Sequence, residues 1–139
     1  MNTLYLTYDG LTDNLGQSQI LPYLIGLSRL NHKITIISFE KSSIDSKKIN
    51  ITKQLLSSEN VNWIPLSYTK NPPLFSTLYD LLKLKAAVKK EIRNSPRVVI
   101  HCRSYITSII GLWAKKKYSI KFIFDMRGFW ADERVAGGI

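Results

Sequence analysis

A chain of 139 residues that is 45% hydrophobic and 11% aromatic, with no repeat and no low-complexity tract, carries enough apolar side chain for one packed core; disordered, fibrous and solenoid classes are excluded. Its 20 lysines and arginines outnumber 10 acidic residues, and the resulting charge of +10 fits nucleic acid, anionic lipid or a phosphorylated small molecule, or simply a solvated lysine face. The lone Cys102 excludes an internal disulfide and reads as a buried, reduced thiol, in keeping with a cytoplasmic setting.

Residues 1–8 contain no basic residue, so no secretory signal is legible there. Residues 4–8 read as a strand that ends at Asp9 and Gly10, followed by a polar loop holding Asp13, Asn14, Gly16, Gln17 and Ser18. Leu21, Leu24 and Leu27 repeat at helical spacing and predict a helix over 18–30, which Pro22 forces either to begin near Leu21 or to kink there. Asn31 suits a left-handed helix stop, and 34–39 is a β-branched second strand. A loosely periodic helix over 45–58 and a third strand over 61–66 follow. Residues 68–73 contain Pro72 and Pro73 and read as an ordered loop.

Thr77 and Asp80 have the spacing of a capping box, which predicts a helix to about Asn94 with Leu78, Leu81, Leu84, Val88 and Ile92 on its inner stripe. Residues 98–101 are a fourth strand, and Ile106, Ile109, Ile110 and Trp113 form the apolar stripe of a helix ending in Lys115, Lys116 and Lys117. The apolar run over 105–114 is too short to span a bilayer. Residues 121–125 form a fifth strand whose run Phe122, Ile123 and Phe124 predicts burial, and Asp132 and Glu133 suit the first turn of a further helix. The end at Gly137, Gly138 and Ile139 reads as that of a truncated piece, so Phe129, Trp130 and Val135 are expected to pack on absent chain or to drive self-association.

Strand and helix alternate throughout, so the expected fold is α/β: a three-layer domain with a parallel sheet of about five strands and helices on both faces. Ligands of such sheets bind beyond the carboxyl ends of the strands where strand order reverses, here between the first and fourth. Five loops then face one crevice: 9–18, 39–43, 68–73, 101–105 and 125–130.

Neither a G-x-G-x-x-G after the first strand nor a P-loop is present, which disfavours dinucleotide dehydrogenases and P-loop NTPases; Gly16 either makes a turn or makes room for a ligand. No metal set forms, because His101 has no further ligands beside it and His32 falls at the opposite end of the sheet. His101 is either a half-buried strand-end histidine or a catalyst. Alternation puts His101 and Arg103 on one face and Cys102 on the other, and groups Asp125 with Arg127. Together they make a charged pocket for a hydroxylated or phosphorylated ligand, or a structural ion pair of Asp125 with Arg103 or Arg127. No RNP motif or basic recognition helix points to nucleic acid.

Three stretches carry a resemblance: Tyr8-Asp9-Gly10-Leu11-Thr12-Asp13 with Leu15-Gly16-Gln17-Ser18-Gln19, then His101-Cys102-Arg103-Ser104-Tyr105, then 124–134, Phe-Asp-Met-Arg-Gly-Phe-Trp-Ala-Asp-Glu-Arg. Over essentially its whole length the chain resembles the amino-terminal domain of bacterial family 4 glycosyltransferases of the GT-B fold. The resemblance implies a Rossmann-like lobe, residues 1–139, that holds a glycan or lipid-linked acceptor, opposite a carboxyl-terminal lobe, absent here, that holds the nucleotide-sugar donor. It implies a retaining, metal-independent transfer in surface polysaccharide synthesis, no cofactor within this piece, and no activity of the piece alone. By position it makes His101, Asp125 and Arg127 candidate catalytic residues, Asp9, Gln17, Arg103, Ser104, Tyr105, Arg127 and Trp130 acceptor-binding residues, and Gly16 a contact to the donor phosphate. Where many members have a second glycine in the first loop this chain has Gly16 alone, and Arg103 stands where many have a second histidine. The basic charge adds an expected weak contact with the inner membrane surface. The alternative is a stand-alone Rossmann-like or flavodoxin-like module binding a nucleotide or phosphate; a receiver domain is disfavoured because Asp9 has no acidic neighbour.

Overall fold

Five β-branched and aliphatic runs become the strands β1 (Asn2–Leu6), β2 (Lys33–Glu40), β3 (Val61–Ser67), β4 (Val98–Arg103) and β5 (Phe122–Asp125) in a computed structural model that describes residues 1–69 and 71–128, the side chains of Pro73 and Leu74 aside. All pairs are parallel and the order is β3-β2-β1-β4-β5. Between them run the helices α1 (Leu21–Arg29), α2 (Ser46–Ser58), α3 (Pro73–Asn94) and α4 (Ser104–Tyr118).

Because side chains alternate across a strand, each strand feeds two cores. Leu4, Leu6, Ile37, Ile100 and Cys102 meet Leu84, Val88 and Ile92 of α3 and Ile110 and Ala114 of α4 on one face. Tyr5, Ile34, Ile36 and Trp63 meet Leu21 and Leu24 of α1 and Leu56 of α2 on the other. Each fully buried aliphatic side chain contributes about 1.5–3 kcal/mol, so both helical layers are needed to offset chain entropy. The expected three-layer arrangement is thus present. β1 is central: the chain steps outward to β2 and β3, then returns across β1 to β4 and β5. The loops after β1 and β4 therefore leave toward opposite faces and open a crevice at the carboxyl ends of those strands.

Several local readings change. The first strand stops at Leu6 rather than Tyr8; the Thr7 N–H still reaches the Ile37 carbonyl at 3.0 Å, but Tyr8 turns aside to place its hydroxyl 2.9 Å from Asp80. Of the two effects open to Pro22 the structure has the first: the α-helix proper begins at Leu21, whose N–H reaches back to the Gly16 carbonyl, after a wide π-helical turn, Gly16–Ile20. Asn31 takes the left-handed conformation (φ 64°).

Thr77 does not open α3. That helix starts a full turn earlier at Pro73, where a missing N–H costs nothing, and Asp80 lies fully buried inside it. The predicted stripes shift accordingly: Leu78 on α3 and Ile109 on α4, expected inside, are 57% and 56% exposed. The predicted buried run of the fifth strand is also wrong, since β5 is an edge strand with Ile123 48% and Phe124 42% exposed. The proposed helix start at Asp132 and Glu133, and the contacts expected of Phe129, Trp130 and Val135, lie outside the described residues.

Cys102 points into the α3–α4 core, and burial pushes its thiol up to about 12. Gly111 of α4 presses against it so closely that an added Cβ would lie 2.6 Å from the Cys102 sulfur and 2.8 Å from the Phe122 ring. Gly111→Ala is therefore expected to destabilise the fold by about 1–3 kcal/mol despite alanine's better helix propensity. Thermal unfolding followed by circular dichroism checks this; an unchanged or raised midpoint would mean that α4 can lift off the sheet freely.

Candidate functional site at the carboxyl ends of β1, β4 and β5

The loop after β1 is shaped by a carboxylate. Glu40, at the end of β2 and 5% exposed, accepts the backbone N–H groups of Leu11 (2.8 Å) and Thr12 (3.3 Å) and the hydroxyls of Thr12 and Ser38. Ser38 in turn accepts the indole N–H of Trp63 on β3 at 2.8 Å. Gly16 then closes the loop on itself: a Cβ there would fall 2.2 Å from the Gly10 carbonyl oxygen and 2.5 Å from the Leu11 Cα. Backbone atoms cannot yield to such a contact, so this close approach by itself requires glycine at position 16. Gln17, an expected ligand contact, braces the same loop by donating to the Leu11 carbonyl at 2.8 Å.

Beyond that loop a crevice of about 590 Å³ runs over the strand ends, lined by Tyr5, Gln19, Tyr23, His101, Arg103, Asp125 and Arg127 among others. It continues into a second hollow, of about 390 Å³, that shares Gln19, Arg103 and Arg127 and adds Tyr8, Asp9 and Ser104. Gln19 joins the two hollows. Its carbonyl oxygen accepts from Arg103 (3.1 Å) and from Arg127 (2.5 Å), so one amide holds two guanidinium groups, one from the end of β4 and one from the loop after β5. Arg103, almost wholly buried, also faces Asp9 at 3.3 Å, and Arg127 faces Asp125 at 3.8 Å. Of the two ion pairs expected of Asp125, the one with Arg127 is present, while Arg103 pairs with Asp9 instead.

His101 sits between the aromatic rings of Tyr5 (4.7 Å) and Tyr23 (6.0 Å), both edge-on. Its Nε2 is buried without a hydrogen bond and lies 3.6 Å from an Asp125 oxygen. That separation is too long for a direct hydrogen bond and too short for an atom to lie between the two groups, so a hydroxyl could reach both only from beside the pair. Burial lowers the imidazole pKa below its ordinary 6.5, the Asp125 carboxylate pulls it back up, and the Arg103 guanidinium lowers it again. At neutral pH His101 is therefore an uncharged acceptor beside a carboxylate, the arrangement of a base whose conjugate acid finds a partner. Tyr5, buried below, has its phenol pushed up by that burial.

Ser104, the hinge from β4 into α4, is held at φ 73°, a left-handed conformation that costs a serine energy and fixes the direction in which Arg103 leaves the strand. Tyr105 supports the loop after β5 from the side, donating to the Gly128 carbonyl at 3.0 Å and packing edge-on to Phe124. The structure therefore brings His101, Arg103, Asp125 and Arg127 into the larger hollow and Asp9 and Ser104 into the adjoining one, while Gln17 and Tyr105 act as braces; Trp130 lies outside the described residues. Tyr5, Gln19 and Tyr23 were not singled out from the sequence. Gln19 and Tyr23 stand one helical turn apart at the start of α1, a spacing that could have placed them together. Among the described residues no group of three or more His, Cys, Asp or Glu is placed to hold a metal ion.

No family model matches the chain, and the search of curated proteins found no match. Among solved structures, the chain is similar to a glycosyltransferase from Rickettsia africae ESF-5, with a TM-score of 0.51 and 19% identity over 88% of this chain. The chain spans 28% of that protein's length. The likeness is one of fold: a Rossmann-like α/β sheet of the kind found in a glycosyltransferase.

The His101 environment fixes a pH response. A folded-state pKa below 6.5 means the unfolded chain binds the proton more readily, so the stability held above pH 6.5 falls as the pH drops through that value. A proton NMR titration should place the His101 imidazole below 6.5, and Asp125→Asn should move it lower still by removing the group that opposes burial. A midpoint at or above 6.5, or an upward move in the variant, would overturn this reading of the site.

Proposed function

We propose that the chain is the acceptor-side lobe of a retaining glycosyltransferase of the family 4, GT-B type, acting in surface polysaccharide synthesis, with the nucleotide-sugar donor held by a carboxyl-terminal lobe outside this sequence. The observation that carries the reading is the crevice at the reversal of strand order, in which Gln19, Arg103, Arg127, Asp9 and Asp125 offer hydrogen bonds of both polarities beside the rings of Tyr5 and Tyr23. Sugar hydroxyls are donors and acceptors at once, and such mixed groups beside apolar rings match them. The glycosyltransferase fold neighbour supports the same reading.

In this proposal the acceptor hydroxyl lies beside the pair of His101 Nε2 and Asp125, whose polar atoms stand 3.6 Å apart, and reaches both from the crevice side. Neutral His101 takes the hydroxyl proton as the new glycosidic bond forms, and Asp125 stabilises the resulting imidazolium. Arg127, half exposed at the mouth, faces the leaving diphosphate of the donor, which approaches the loop closed by Gly16. Arg103 is committed to Asp9 and Gln19, so the half-exposed Arg127 is the cation that this lobe offers the leaving diphosphate.

The test separates acceptor from donor. Saturation-transfer NMR of the 139-residue chain with a panel of oligosaccharides and glycosyl phosphates should show saccharide binding, with nucleoside diphosphate sugars bound no better than salt. Gln19→Ala and Arg103→Ala should each weaken the saccharide by about tenfold, as when a buried hydrogen-bonding partner is lost. A chain that binds nucleoside diphosphates and no saccharide would instead be a stand-alone nucleotide-binding module.

A further inference from the structure

The residues that the helical periodicity wrongly placed inside mark a second surface. Outward from the sheet, α3 presents Phe75, Leu78 and Leu82, which are 73%, 57% and 55% exposed, and α4 presents Ile109 and Leu112, which are 56% and 45% exposed. Both helices bury their opposite stripes in one core cluster, so these residues lie on one side of the molecule. Lys85 of α3 links them, its ammonium 4.9 Å over the Trp113 ring of α4. Ile109, Leu112 and Trp113 line a shallow groove with Lys116 and Lys117.

The same two helices carry much of the basic charge. Together they hold Lys83, Lys85, Lys89, Lys90, Arg93, Lys115, Lys116 and Lys117 against two acidic residues, of which Asp80 is buried and paired with Lys83. A protein partner favours an interface whose centre is stripped of lysine. A bilayer favours the opposite: apolar side chains enter the acyl boundary while lysine stems lie along them and carry ammonium groups to the headgroups. Charge complementarity therefore selects an anionic lipid surface over a second protein. No helix among the described residues is long and apolar enough to cross a membrane, so the contact is peripheral.

We propose that the α3–α4 face docks the protein on an anionic bilayer, with Leu78, Leu82, Ile109 and Leu112 entering the headgroup boundary and Lys85, Lys116 and Lys117 binding the headgroups. α4 begins at Ser104, beside the crevice, and so docking sets the crevice next to the membrane surface. The proposal stands on this surface alone and does not require the crevice to bind a saccharide.

Co-sedimentation of the chain with vesicles of phosphatidylcholine alone, and of phosphatidylcholine with phosphatidylglycerol, tests it. Two variants probe the two contributions: Ile109→Ser with Leu112→Ser, and Lys115→Glu with Lys116→Glu and Lys117→Glu. All five positions are exposed, and an unchanged unfolding midpoint verifies that each variant is folded. The expected result is binding to the anionic vesicles only, reduced about hundredfold by the lysine reversals, at roughly 1 kcal/mol for each lysine. The serine pair should reduce it by about tenfold or more and abolish the blue shift of Trp113 fluorescence on binding, both from lost apolar insertion. Equal binding to neutral vesicles, or binding untouched by the serine pair, would overturn the proposal. So would absence of vesicle binding together with self-association that the serine pair removes, which would make this face a contact between copies.

Discussion

The buried carboxylate of Glu40 is the constraint on which the crevice depends. It closes the sheet where β2 ends, and it accepts two backbone N–H groups of the neighbouring loop together with two hydroxyls. A buried carboxylate is tolerable only with its lone pairs occupied, and here the chain that occupies them is the one that must be shaped. Through Ser38 the same network reaches Trp63 on β3, so loop, second strand and third strand share one chain of hydrogen bonds. In folds that bind phosphate after the first strand, free N–H groups of this loop face the ligand; here those of Leu11 and Thr12 are already committed to a side chain. The loop is thus braced from within, and the polar lining of the crevice falls to the side chains that the following turn presents, Gln19 first.

That division leaves the charged groups of the crevice to the strands. His101, Arg103 and Asp125 project from the last residues of β4 and β5, which are held by parallel pairing to β1 and to each other. Cys102, between His101 and Arg103, anchors β4 from the opposite face by entering the core against Gly111. The left-handed Ser104 then turns the chain into α4 immediately after Arg103. Strain at one residue is offset by the buried cluster behind it. What remains adjustable is at the outer edge: Arg127, on the loop after β5, reaches Gln19 from a half-exposed position.

The order of elements was legible because their period changes from two to about 3.6 at each boundary, and Asn31 marked a helix end unaided. The errors share a cause, which is long-range partnership. Thr77 and Asp80 have the spacing of a cap, but Asp80 is engaged by the Tyr8 hydroxyl, 72 residues away, by the Thr69 N–H and by Lys83. Nothing within a local window distinguishes that role from a cap. Leu78 and Ile109 fit an inner helical stripe and still face outward, because each helix has more apolar residues than its buried side can take. Gly16 was ambiguous between turn and ligand; the close approach of Gly10 and Leu11 supplies the steric reason. Glu40 carried no sequence signal, and the spacing of Gln19 from Tyr23 does not show that Gln19 holds two arginines, because the importance of both residues lies in which strands and loops they join.

The distribution of charge separates the two surfaces more sharply than the total of +10 would imply. Within the crevice Asp9 and Asp125 balance Arg103 and Arg127, and burial keeps His101 uncharged near neutral pH, so the lining has no net charge. A polyanion entering there would have to displace one carboxylate from each guanidinium, whereas a neutral polyol can slot its hydroxyls between them without breaking charge balance. The excess cations lie instead along α3 and α4, beside apolar side chains that water does not favour. In the proposed docking, attraction to an anionic surface acts through the outer helices, while the proposed saccharide is selected by neutral hydrogen bonding at the strand ends. Salt screens the first strongly and the second weakly, because exposed charges feel the ionic atmosphere and buried, paired ones do not. The two surfaces meet at Arg103 and Ser104, where β4 passes into α4, and a ligand presented at a membrane would reach the crevice across that junction.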